Sequence, residues 1–281
     1  MNKIITKKLL APSIKLIEIE SPLMARKARS GQFVMLRIHE DGERIPLTIS
    51  DYDREKGTIT IIFQEIGKTT KMLGQLQEGD CILDFAGPLG KPTEIDNLKR
   101  VVVIGGGLGT ALIFSQVKEM HQNGTKVDVI IGARNAELVI LEEELKPYCE
   151  NIYIATDDGS KGQKGFVTDV LKKLIEDGNK YDRAVAVGPL IMMKVVSNLT
   201  KKFGLPTVVS MNPIMIDGTG MCGGCRLTVD GKTKFACVDG PEFDGHLVDF
   251  GEAMRRQTMY KSEEKTATEQ HACRLGGHNN A

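Results

Sequence analysis

The most constraining feature of this sequence is a group of cysteines and glycines near its C-terminal end. Cys222 and Cys225 have two residues between them, and eleven residues separate Cys225 from Cys237. Two thiolates on a tight turn and a third on a returning strand are typical of a chain that binds a metal or an iron–sulfur cluster. Glycine suits such a turn because it adopts positive φ values and lets backbone amides approach sulfur. The glycines in position to do this are Gly218, Gly220, Gly223 and Gly224.

A fourth ligand is indicated by the spacing of plant-type ferredoxins, in which another cysteine stands five positions before the C-x-x-C pair. Asp217 occupies that position here, and a carboxylate can also ligate iron. The stretch therefore predicts a [2Fe–2S] site with the ligands Asp217, Cys222, Cys225 and Cys237. The same four donors could instead bind zinc. A redox dithiol is a further alternative, although it gives no reason for the third cysteine or for the glycines.

Composition narrows the functional classes. The 281 residues include 37 basic and 37 acidic side chains, so charge gives no reason to expect nucleic acid or an anionic membrane as a partner. No apolar run reaches the length of a membrane span, and the first residues lack the apolar core of a signal peptide. Three further cysteines, Cys81, Cys149 and Cys273, are scattered singly, which favours a reducing, cytoplasmic location over disulfides.

The N-terminal part of the chain, from about Ile4 to Ala86, is rich in short β-strand patterns. Apolar or alternating runs are separated by turn residues such as Asp41–Gly42 and Lys56–Gly57. Several short strands at this spacing predict a small antiparallel barrel. The strands are expected at Ile14–Ile19, Gln32–Ile38, Thr58–Gln64 and Asp80–Phe85.

Two stretches in this region interrupt the strand pattern and have the residue types of a binding site. Glu43–Ser50 combines a charge, a proline and two hydroxyls with apolar residues. Gly67–Leu73 places a glycine and two threonines at the start of a short predicted helix. The free N–H groups of a helix N-terminus can bind a phosphate or pyrophosphate. An ordinary capped surface helix would show the same pattern, so the sequence leaves both interpretations open.

The pattern changes after the glycine- and proline-rich connector Gly87–Pro92. Continuous apolar strands then alternate with helices, which predicts a doubly wound parallel sheet with ligands at the carboxyl ends of its strands. Helices are expected to end near Gln122 and to span Glu137–Lys146, Lys164–Asp177 and Leu190–Lys202. The strand ends that should carry the site are Gly105–Thr110, Gly132–Arg134, Thr156–Ser160 and Gly188–Pro189.

The glycine turn Gly105–Thr110 supports a nucleotide site but does not choose between the two nicotinamide cofactors. It lacks the final spacing of the dinucleotide fingerprint. The second strand ends at Arg134 rather than at an acid that would bind the ribose hydroxyls. Taken alone, that arginine favours a 2′-phosphate and therefore NADP.

The segment after the cysteine pair is predicted to form a β-hairpin over Arg226–Cys237 that turns at Asp230–Gly231. A short helix is expected within His246–Met254. The remaining residues, Arg255–Ala281, are polar and charged, so as an isolated module they would stay mobile or need a partner surface.

The order of barrel, nucleotide sheet and cysteine loop resembles the ferredoxin-reductase superfamily over nearly the whole chain. Within it, the chain resembles the electron-transfer subunit of dihydroorotate dehydrogenase and, more closely, the small subunit of NADH-dependent reduced ferredoxin:NADP oxidoreductases. Asp217 favours the second, since the dihydroorotate dehydrogenase subunit has a cysteine at that position. The stretches that carry the resemblance are Arg44–Ser50, Gly67–Thr70, Gly87–Gly90, Gly105–Thr110, Gly132–Arg134, Thr156–Ser160, Gly165–Asp169 and Asp217–Cys237.

The resemblance implies FAD in the barrel and NAD(H) on the sheet. In the family an Arg-Pro-Ile-Ser motif places a hydroxyl near the reactive flavin nitrogen, and Thr48 matches that hydroxyl. The arginine position of the motif holds Ile45, with Arg44 one place earlier. The implied FAD-binding residues are Arg44, Pro46, Leu47, Thr48, Ile49, Ser50, Gly67, Lys68, Thr69 and Thr70. The NAD-binding residues are Gly106, Gly107, Gly109, Thr110, Arg134, Asp157, Asp158, Gly188 and Pro189.

The expected organisation is an FAD-binding barrel over residues 1–90, an NAD(H)-binding α/β domain over 91–212, a [2Fe–2S] domain over 213–250 and a partner-contacting tail over 251–281. By resemblance, the partner is a larger subunit that contains flavin and [4Fe–4S] clusters and binds NADP(H). The resemblance also implies electron bifurcation with ferredoxin as a property of the complex. The alternatives are the accessory role in dihydroorotate dehydrogenase and a zinc-stapled, nucleotide-binding regulatory module without redox activity.

Overall fold

The structure is a computed structural model that describes the backbone of residues 2–276, with side chains described in the last helix up to residue 267 and at residue 269. The end of the predicted tail, residues 277–281, lies outside the described residues. Two seven-stranded sheets make up most of the described fold, and a two-stranded hairpin follows them. No helix within the described residues is both long enough and apolar enough to cross a membrane.

The first sheet is antiparallel and curls into a nearly closed barrel. Its strands are β1 (Asn2–Ala11), β2 (Ile14–Glu20), β3 (Phe33–Arg37), β4 (Ile45–Asp53), β5 (Thr58–Gln64), β6 (Cys81–Ile82) and β7 (Asp84–Leu89), in the spatial order β6-β1-β2-β5-β4-β3-β7. Alternate residues face inward, so Ile17 and Ile19 of β2 and Ile59 and Ile61 of β5 are fully buried. Two helices accompany the barrel, α1 (Pro22–Lys27) and α2 (Lys68–Gln75).

The stretch Glu43–Ser50 was expected to interrupt the strand pattern. In the structure most of it belongs to strand β4. Its proline is compatible with a strand since the first part of β4 pairs on one side only. Pro46 lies opposite Met35 of β3, whereas pairing with β5 begins at Ile49. A proline N atom at such a position has no ladder hydrogen bond to lose.

The second sheet is built of parallel strands with helices packed against it, which confirms the predicted α/β architecture. Six of its seven strands are parallel: β8 (Arg100–Gly106), β9 (Lys126–Ala133), β10 (Asn151–Thr156), β11 (Gln163–Lys164), β12 (Arg183–Val187) and β13 (Thr207–Ser210), in the order β11-β10-β9-β8-β12-β13. Its helices are α3 (Gly109–Gln122), α4 (Glu142–Leu145), α5 (Val167–Glu176) and α6 (Leu190–Lys202).

The helix predicted over Glu137–Lys146 is wrong, because the segment is broken into short pieces. A 3-10 turn at Ala136–Leu138 precedes α4, and a second one follows at Lys146–Tyr148. Leu141 has a φ of +58°, which no residue inside a right-handed helix can adopt. The helix therefore cannot continue through this point.

The C-terminal part of the chain contains the predicted hairpin and returns to the second sheet. Its elements are β14 (Arg226–Val229), β15 (Lys232–Phe235), α7 (Ala236–Asp239), β16 (Glu242–Asp244), α8 (Phe250–Arg256) and α9 (Lys261–Gly276). β16 pairs antiparallel with β13, so the segment after the cysteines is joined to the nucleotide sheet. The tail, which as an isolated module was expected to stay mobile or to need a partner surface, contains α9, which lies alongside α2.

Candidate functional site

A large cavity of about 1010 Å³ lies between the barrel and the carboxyl ends of the parallel strands. Open α/β sheets bind their ligands at this edge, so the cavity stands where the sequence predicts a nucleotide. Barrel strand β4 supplies one side of the cavity and the ends of β8, β9, β10 and β12 supply the other. The predicted residues in its wall are Pro46, Thr48, Gly106, Gly107, Gly109, Arg134, Asp157, Gly188 and Pro189.

The turn between β8 and α3 forms the floor of the cavity. Gly109 begins α3 so close to β12 that a Cβ atom there would lie 2.0 Å from the carbonyl oxygen of Val187. This contact requires glycine and brings the N-terminus of α3 to the cavity, where the positive end of the helix dipole can attract a pyrophosphate. The N–H groups of Thr110 and Ala111 donate to the carbonyl oxygens of Gly107 and Leu108 at 3.1 and 3.0 Å. Thr110 is 1% exposed and its Oγ1 has no hydrogen-bond partner among the described residues. Its hydroxyl lies below the turn rather than in the cavity wall.

The far end of the cavity presents one arginine and one carboxylate. Arg134 at the end of β9 and Asp157 after β10 both line it. Asp158 is turned back onto its own loop, where its Oδ1 accepts hydrogen bonds from the Ser160 hydroxyl at 2.6 Å and the Ser160 N–H at 2.9 Å. These bonds, the hydroxyl most, lower the pKa of Asp158. Asp157 is therefore the carboxylate available to a ribose.

Strand β4 divides its predicted FAD residues between two sides. Pro46 and Thr48 face the cavity, whereas Leu47 and Ile49 pack in the barrel core, as the two-residue period of a strand requires. Ser50 is fully buried and its hydroxyl has no partner among the described residues. Of the residues predicted on β4, only Pro46 and Thr48 can therefore contact a ligand in this cavity.

The remaining predicted FAD residues lie beyond the edge of the cavity, around the start of α2. Gly67 precedes the helix, Lys68 opens it, and the hydroxyl of Thr70 accepts a hydrogen bond from the Gly67 N–H at 3.1 Å. The hydroxyl of Thr69 donates to Glu43 Oε2 at 2.9 Å. Arg44 is half exposed, with its Nη2 3.6 Å from a carboxylate oxygen on β7. The glycine leaves open space for a phosphate, since a Cβ atom there would meet nothing within 4 Å.

Several cavity residues were missed by sequence reasoning. The segment that follows β13 lines the cavity through Met211, Asn212, Pro213 and Met215. This segment begins at the carboxyl end of a parallel strand. The rule that ligands bind at such ends, which selected the other strand ends, could therefore have predicted it. Phe33 of β3 also lines the cavity, and no sequence signal marked it. Met215 matters because the cysteine loop begins directly after it.

Two of the three cysteines of the loop meet in the interior. The Sγ atoms of Cys225 and Cys237 lie 3.2 Å apart, and both residues are buried. Burial and the neighbouring thiol raise the pKa of Cys237 to about 12. Two buried thiols at this distance cannot both ionise without a cation between them, and a bound metal supplies that charge.

Cys222 has the opposite environment. It is exposed, and its Sγ accepts a hydrogen bond from the Gly224 N–H at 3.4 Å. That bond and a second from the Asp217 N–H lower the pKa of Cys222. The thiolate is the form that binds metals, so this sulfur is the readiest of the three to act as a ligand.

Asp217 lies beside Cys222 and is held by its own turn. Its Oδ2 accepts hydrogen bonds from the Thr219 hydroxyl at 2.5 Å, the Thr219 N–H at 2.9 Å and the Met221 N–H at 3.4 Å. These bonds, the hydroxyl most, hold the pKa of Asp217 below its usual range, with a smaller contribution from Arg44. Among the described residues, the hydrogen bonds to this carboxylate all end on Oδ2, which leaves Oδ1 for a ligand.

The donors are arranged in two pairs rather than around one point. Asp217 lies beside Cys222, and Cys225 lies beside Cys237. Within the described residues, no three His, Cys, Asp or Glu side chains converge as the ligands of a single metal ion would. A two-iron cluster takes two protein ligands on each iron, so the paired arrangement fits it. The residues present therefore suit a [2Fe–2S] cluster better than a mononuclear zinc site.

Comparison with protein families finds two matches, each on one part of the site. Residues 212–249 match the iron–sulfur cluster binding domain of dihydroorotate dehydrogenase B. Residues 103–198 match the oxidoreductase NAD-binding domain. The first contains the cysteine loop and hairpin, and the second contains the glycine turn and most of the strand ends.

Two relatives span almost the whole chain. A protein encoded in the adh 3′ region of Clostridium beijerinckii is 55% identical over 95% of this chain and 93% of its own length. The electron transfer subunit homolog of dihydroorotate dehydrogenase B (NAD(+)) from Thermotoga maritima is 45% identical over 96% of this chain and 95% of its own.

Solved structures show the same architecture. A chain of the NADH-dependent reduced ferredoxin-NADP oxidoreductase, studied for flavin-based electron bifurcation, superposes with a TM-score of 0.91 and is 44% identical, covering 96% of this chain and 97% of that one. Phthalate dioxygenase reductase shares the fold at 16% identity, with a TM-score of 0.62 and coverage of 81% and 85%.

Proposed function

This chain belongs to the family of electron-transfer subunits related to dihydroorotate dehydrogenase B, and we propose that it carries electrons from NAD(H) through FAD and a [2Fe–2S] cluster to a larger partner subunit. The family resemblance, the fold and the cofactor set predicted from the sequence are confirmed. The chain is accordingly an NAD-dependent oxidoreductase subunit. Bound FAD supplies the conversion between two-electron hydride chemistry and one-electron transfer.

The observation that carries the proposal is the continuity between the cavity and the cysteine loop. Met215 lines the cavity, and Asp217, the first proposed cluster ligand, follows two residues later. A nicotinamide at the sheet, a flavin at β4 and a cluster in the loop would therefore lie in sequence along one connected surface. Such an order is what electron transfer from a hydride donor to a one-electron acceptor requires.

The side chains in the cavity wall have distinct proposed roles. The Thr48 hydroxyl faces the cavity from β4 and is placed to donate a hydrogen bond to a flavin ring nitrogen. The N-terminus of α2, which follows Gly67, and that of α3 at Gly109 are proposed to face the pyrophosphates of FAD and NAD(H). Asp157 is proposed to accept hydrogen bonds from the adenosine ribose of NAD(H), which the family precedent favours over NADP(H).

The larger partner is proposed to dock beside the cluster. Ile216, Met221 and Val238 expose apolar side chains around the loop, and Met221 is 87% exposed. A cluster that passes electrons to another subunit has to lie close to that subunit, so this apolar rim is the expected contact. We propose that the partner contains flavin and [4Fe–4S] clusters and binds NADP(H), and that the complex bifurcates electrons with ferredoxin.

A second candidate for the partner is an orotate-producing dihydroorotate dehydrogenase subunit. The names of several relatives support it, at 32–34% identity. Asp217 favours the bifurcating complex, since in the dihydroorotate dehydrogenase branch that position holds a cysteine. The two candidates share every proposed role of this chain and differ only in what accepts or supplies its electrons.

Purification from native cells tests both levels of the proposal. The expected preparation is coloured, contains FAD and two iron atoms per chain, and is reduced by NADH with bleaching of both flavin and cluster absorption. A colourless protein with one zinc and no flavin would refute the redox role. The co-purifying subunit then decides between the partners: NADP(H)- and ferredoxin-dependent activity supports the first, and dihydroorotate oxidation supports the second.

A further inference from the structure

Two arginines hold the two glycines of the C-x-x-C turn. The carbonyl oxygen of Gly223 accepts a hydrogen bond from Arg226 Nη1 at 3.3 Å, and that of Gly224 accepts one from Arg256 Nη2 at 3.1 Å. Arg226 is exposed and adjoins the turn in sequence, whereas Arg256 is partly buried and reaches the turn across 32 positions. The second contact therefore depends on the fold.

The two contacts coincide with a defined orientation of the peptide groups of the turn, in which the Gly223 carbonyl also accepts from the backbone N–H of Arg226 at 3.4 Å. In a trans peptide, the C=O and the following N–H point in opposite directions. With the carbonyl of Gly223 directed to an arginine, the N–H of Gly224 is directed to the Sγ of Cys222, 3.4 Å away. By the same geometry, the contact of Arg256 with the Gly224 carbonyl directs the N–H of Cys225 away from Arg256.

Arg256 is itself held firmly. It is the last residue of α8, whose first turn is capped by Asp249 accepting from the Glu252 N–H at 2.9 Å. The carboxylate of Glu252 in turn accepts from the Thr228 N–H on β14 at 3.0 Å, which joins the helix to the cluster hairpin. Phe250 and Ala253 bury the inner face of the helix. The helix therefore fixes the guanidinium relative to the loop.

The charge of Arg256 is not compensated locally. Its Nε is buried and has no hydrogen-bond partner among the described residues. The ion pairs formed by the described part of the chain do not include it. A positive charge near a helix C-terminus is favourable for the helix dipole, and that alone would explain a basic residue here. The helix dipole does not explain the hydrogen bond from Arg256 to the Gly224 carbonyl, since the exposed Arg255 could interact equally well with the dipole.

We propose that Arg256 is a positioning residue that orients the C-x-x-C peptide groups and raises the reduction potential of the cluster. This rests on the proposed function, in which the loop holds a [2Fe–2S] cluster. Reduction adds one negative charge to the cluster. A partly buried positive charge and N–H groups directed at sulfur stabilise that added charge and make the cluster a better electron acceptor.

Three variants of the full chain, loaded with cofactors, test the proposal. Arg256→Gln removes the charge but keeps an N–H donor, Arg256→Lys keeps the charge, and Arg255→Gln removes the exposed charge next to it. The cluster potential is measured by redox titration followed by electron paramagnetic resonance, together with iron and sulfide content. We expect Arg256→Gln to become roughly tenfold harder to reduce at a given ambient potential, a shift of about −59 mV for one electron.

Arg256→Lys should titrate closer to the native protein, and Arg255→Gln should match it. Fully loaded Arg256→Gln with the native potential would overturn the proposal. If Arg256→Gln cannot retain the cluster while Arg255→Gln does, Arg256→Lys must restore loading, and its failure would assign the arginine to folding alone. A native protein without iron would instead refute the proposed function, so the two failures are distinguishable.

Discussion

Gly218 lies directly against Met35, and this contact joins the cysteine loop to the barrel. Gly218 has a φ of +85°, and a Cβ atom there would lie 2.5 Å from Met35 Cγ and 3.3 Å from Leu89 Cδ1. Met35 is buried in β3 opposite Pro46, which lines the large cavity from β4. The cysteine loop therefore lies against β3, the strand next to the proposed flavin position on β4. The loop can approach β3 this closely only because residue 218 is a glycine and has no side chain.

Replacing Gly218 with alanine should separate the loop from the barrel. The positive φ and the overlap with Met35 together should lower the free energy of unfolding by about 1–3 kcal/mol. Flavin reduction by NADH should keep its rate, whereas the following reduction of the cluster should slow, because the loop must move outward. Urea unfolding and stopped-flow absorption at flavin and cluster wavelengths measure the two effects.

Gly231→Ala is the matched control for that substitution. Gly231 has a φ of +67° in the hairpin turn, and a Cβ atom there would meet nothing within 4 Å. The change in unfolding free energy of Gly231→Ala therefore measures the cost of the positive φ alone, without a steric overlap. Equal effects of the two substitutions on stability and on the cluster phase would show that the contact with Met35 has no special role.

Removing the carboxylate of Asp217 should remove the cluster and spare the flavin. In Asp217→Ala one iron would lose a protein ligand, and the Thr219 and Met221 N–H groups would lose their acceptor. We expect loss of most iron and of the cluster absorption with FAD content unchanged, since the proposed flavin site is in the barrel. Asp217→Cys, which restores a ligand, should recover iron binding. Native iron content in Asp217→Ala would rule this residue out as a ligand.

Much of the fold could be predicted because its signals are local. The apolar run of β8 is buried from Val101 to Gly106, and the hairpin turns at Asp230–Gly231 as its residue types indicate. The helix predicted over Glu137–Lys146 failed at Leu141, whose left-handed conformation has no sequence signal in a leucine. The helix α9 in the tail was not predicted, because its polar composition gives no apolar face to recognise, and the contact of the tail with a partner stays a prediction.

The contacts that give the site its shape could not be predicted, since they join residues far apart in the chain. Nothing in the sequence pairs Gly218 with Met35 or Arg256 with Gly224. The same holds within β4, where the motif named five residues but only Pro46 and Thr48 line the cavity. Motifs identify the chemistry of a site, whereas side-chain direction follows from the packing of the strand.

Asp157 should determine the preference for NADH over NADPH. It lines the cavity end beside Arg134, and a carboxylate there binds ribose hydroxyls and repels a 2′-phosphate. Loss of a charged hydrogen bond costs about 1.5–3 kcal/mol, so kcat/KM for NADH in Asp157→Ala should fall roughly 10- to 100-fold. The value for NADPH should rise relative to NADH. Steady-state kinetics of flavin reduction with both cofactors measure the ratio.

Asp158→Ala is the control for Asp157, because its carboxylate bonds to Ser160 on its own loop. It should change the ratio of the two cofactors much less. A preference for NADH that survives in Asp157→Ala, or that is lost equally in Asp158→Ala, would contradict the assignment. Arg134→Ala adds a direct check, since it should weaken NADPH more than NADH if the arginine can meet a 2′-phosphate.

Glu242 should make the stability of the protein depend on pH. Its partly buried carboxylate accepts hydrogen bonds from the Thr93 hydroxyl at 2.8 Å and from Gln116 Nε2 at 2.5 Å, where the connector, α3 and β16 meet. Desolvation raises the pKa of Glu242 from 4.5 to about 7, against smaller opposing effects of Thr93 and Arg183. Because the folded state holds this proton more tightly than the unfolded state, the contribution of Glu242 to stability is fully present below pH 4.5 and is lost as pH rises through about 7.

Glu242→Gln should abolish that fall, because an amide carries no charge to desolvate. It can accept from Thr93 and donate to Gln116 Oε1, which is buried and has no partner among the described residues. At pH 8 the variant should be more stable than the native protein by about 1–3 kcal/mol, and near pH 4.5 the two should converge. Urea unfolding at several pH values measures this, with exposed Glu94→Gln as the control. Parallel pH curves for the native protein and Glu242→Gln would show that this carboxyl titrates normally.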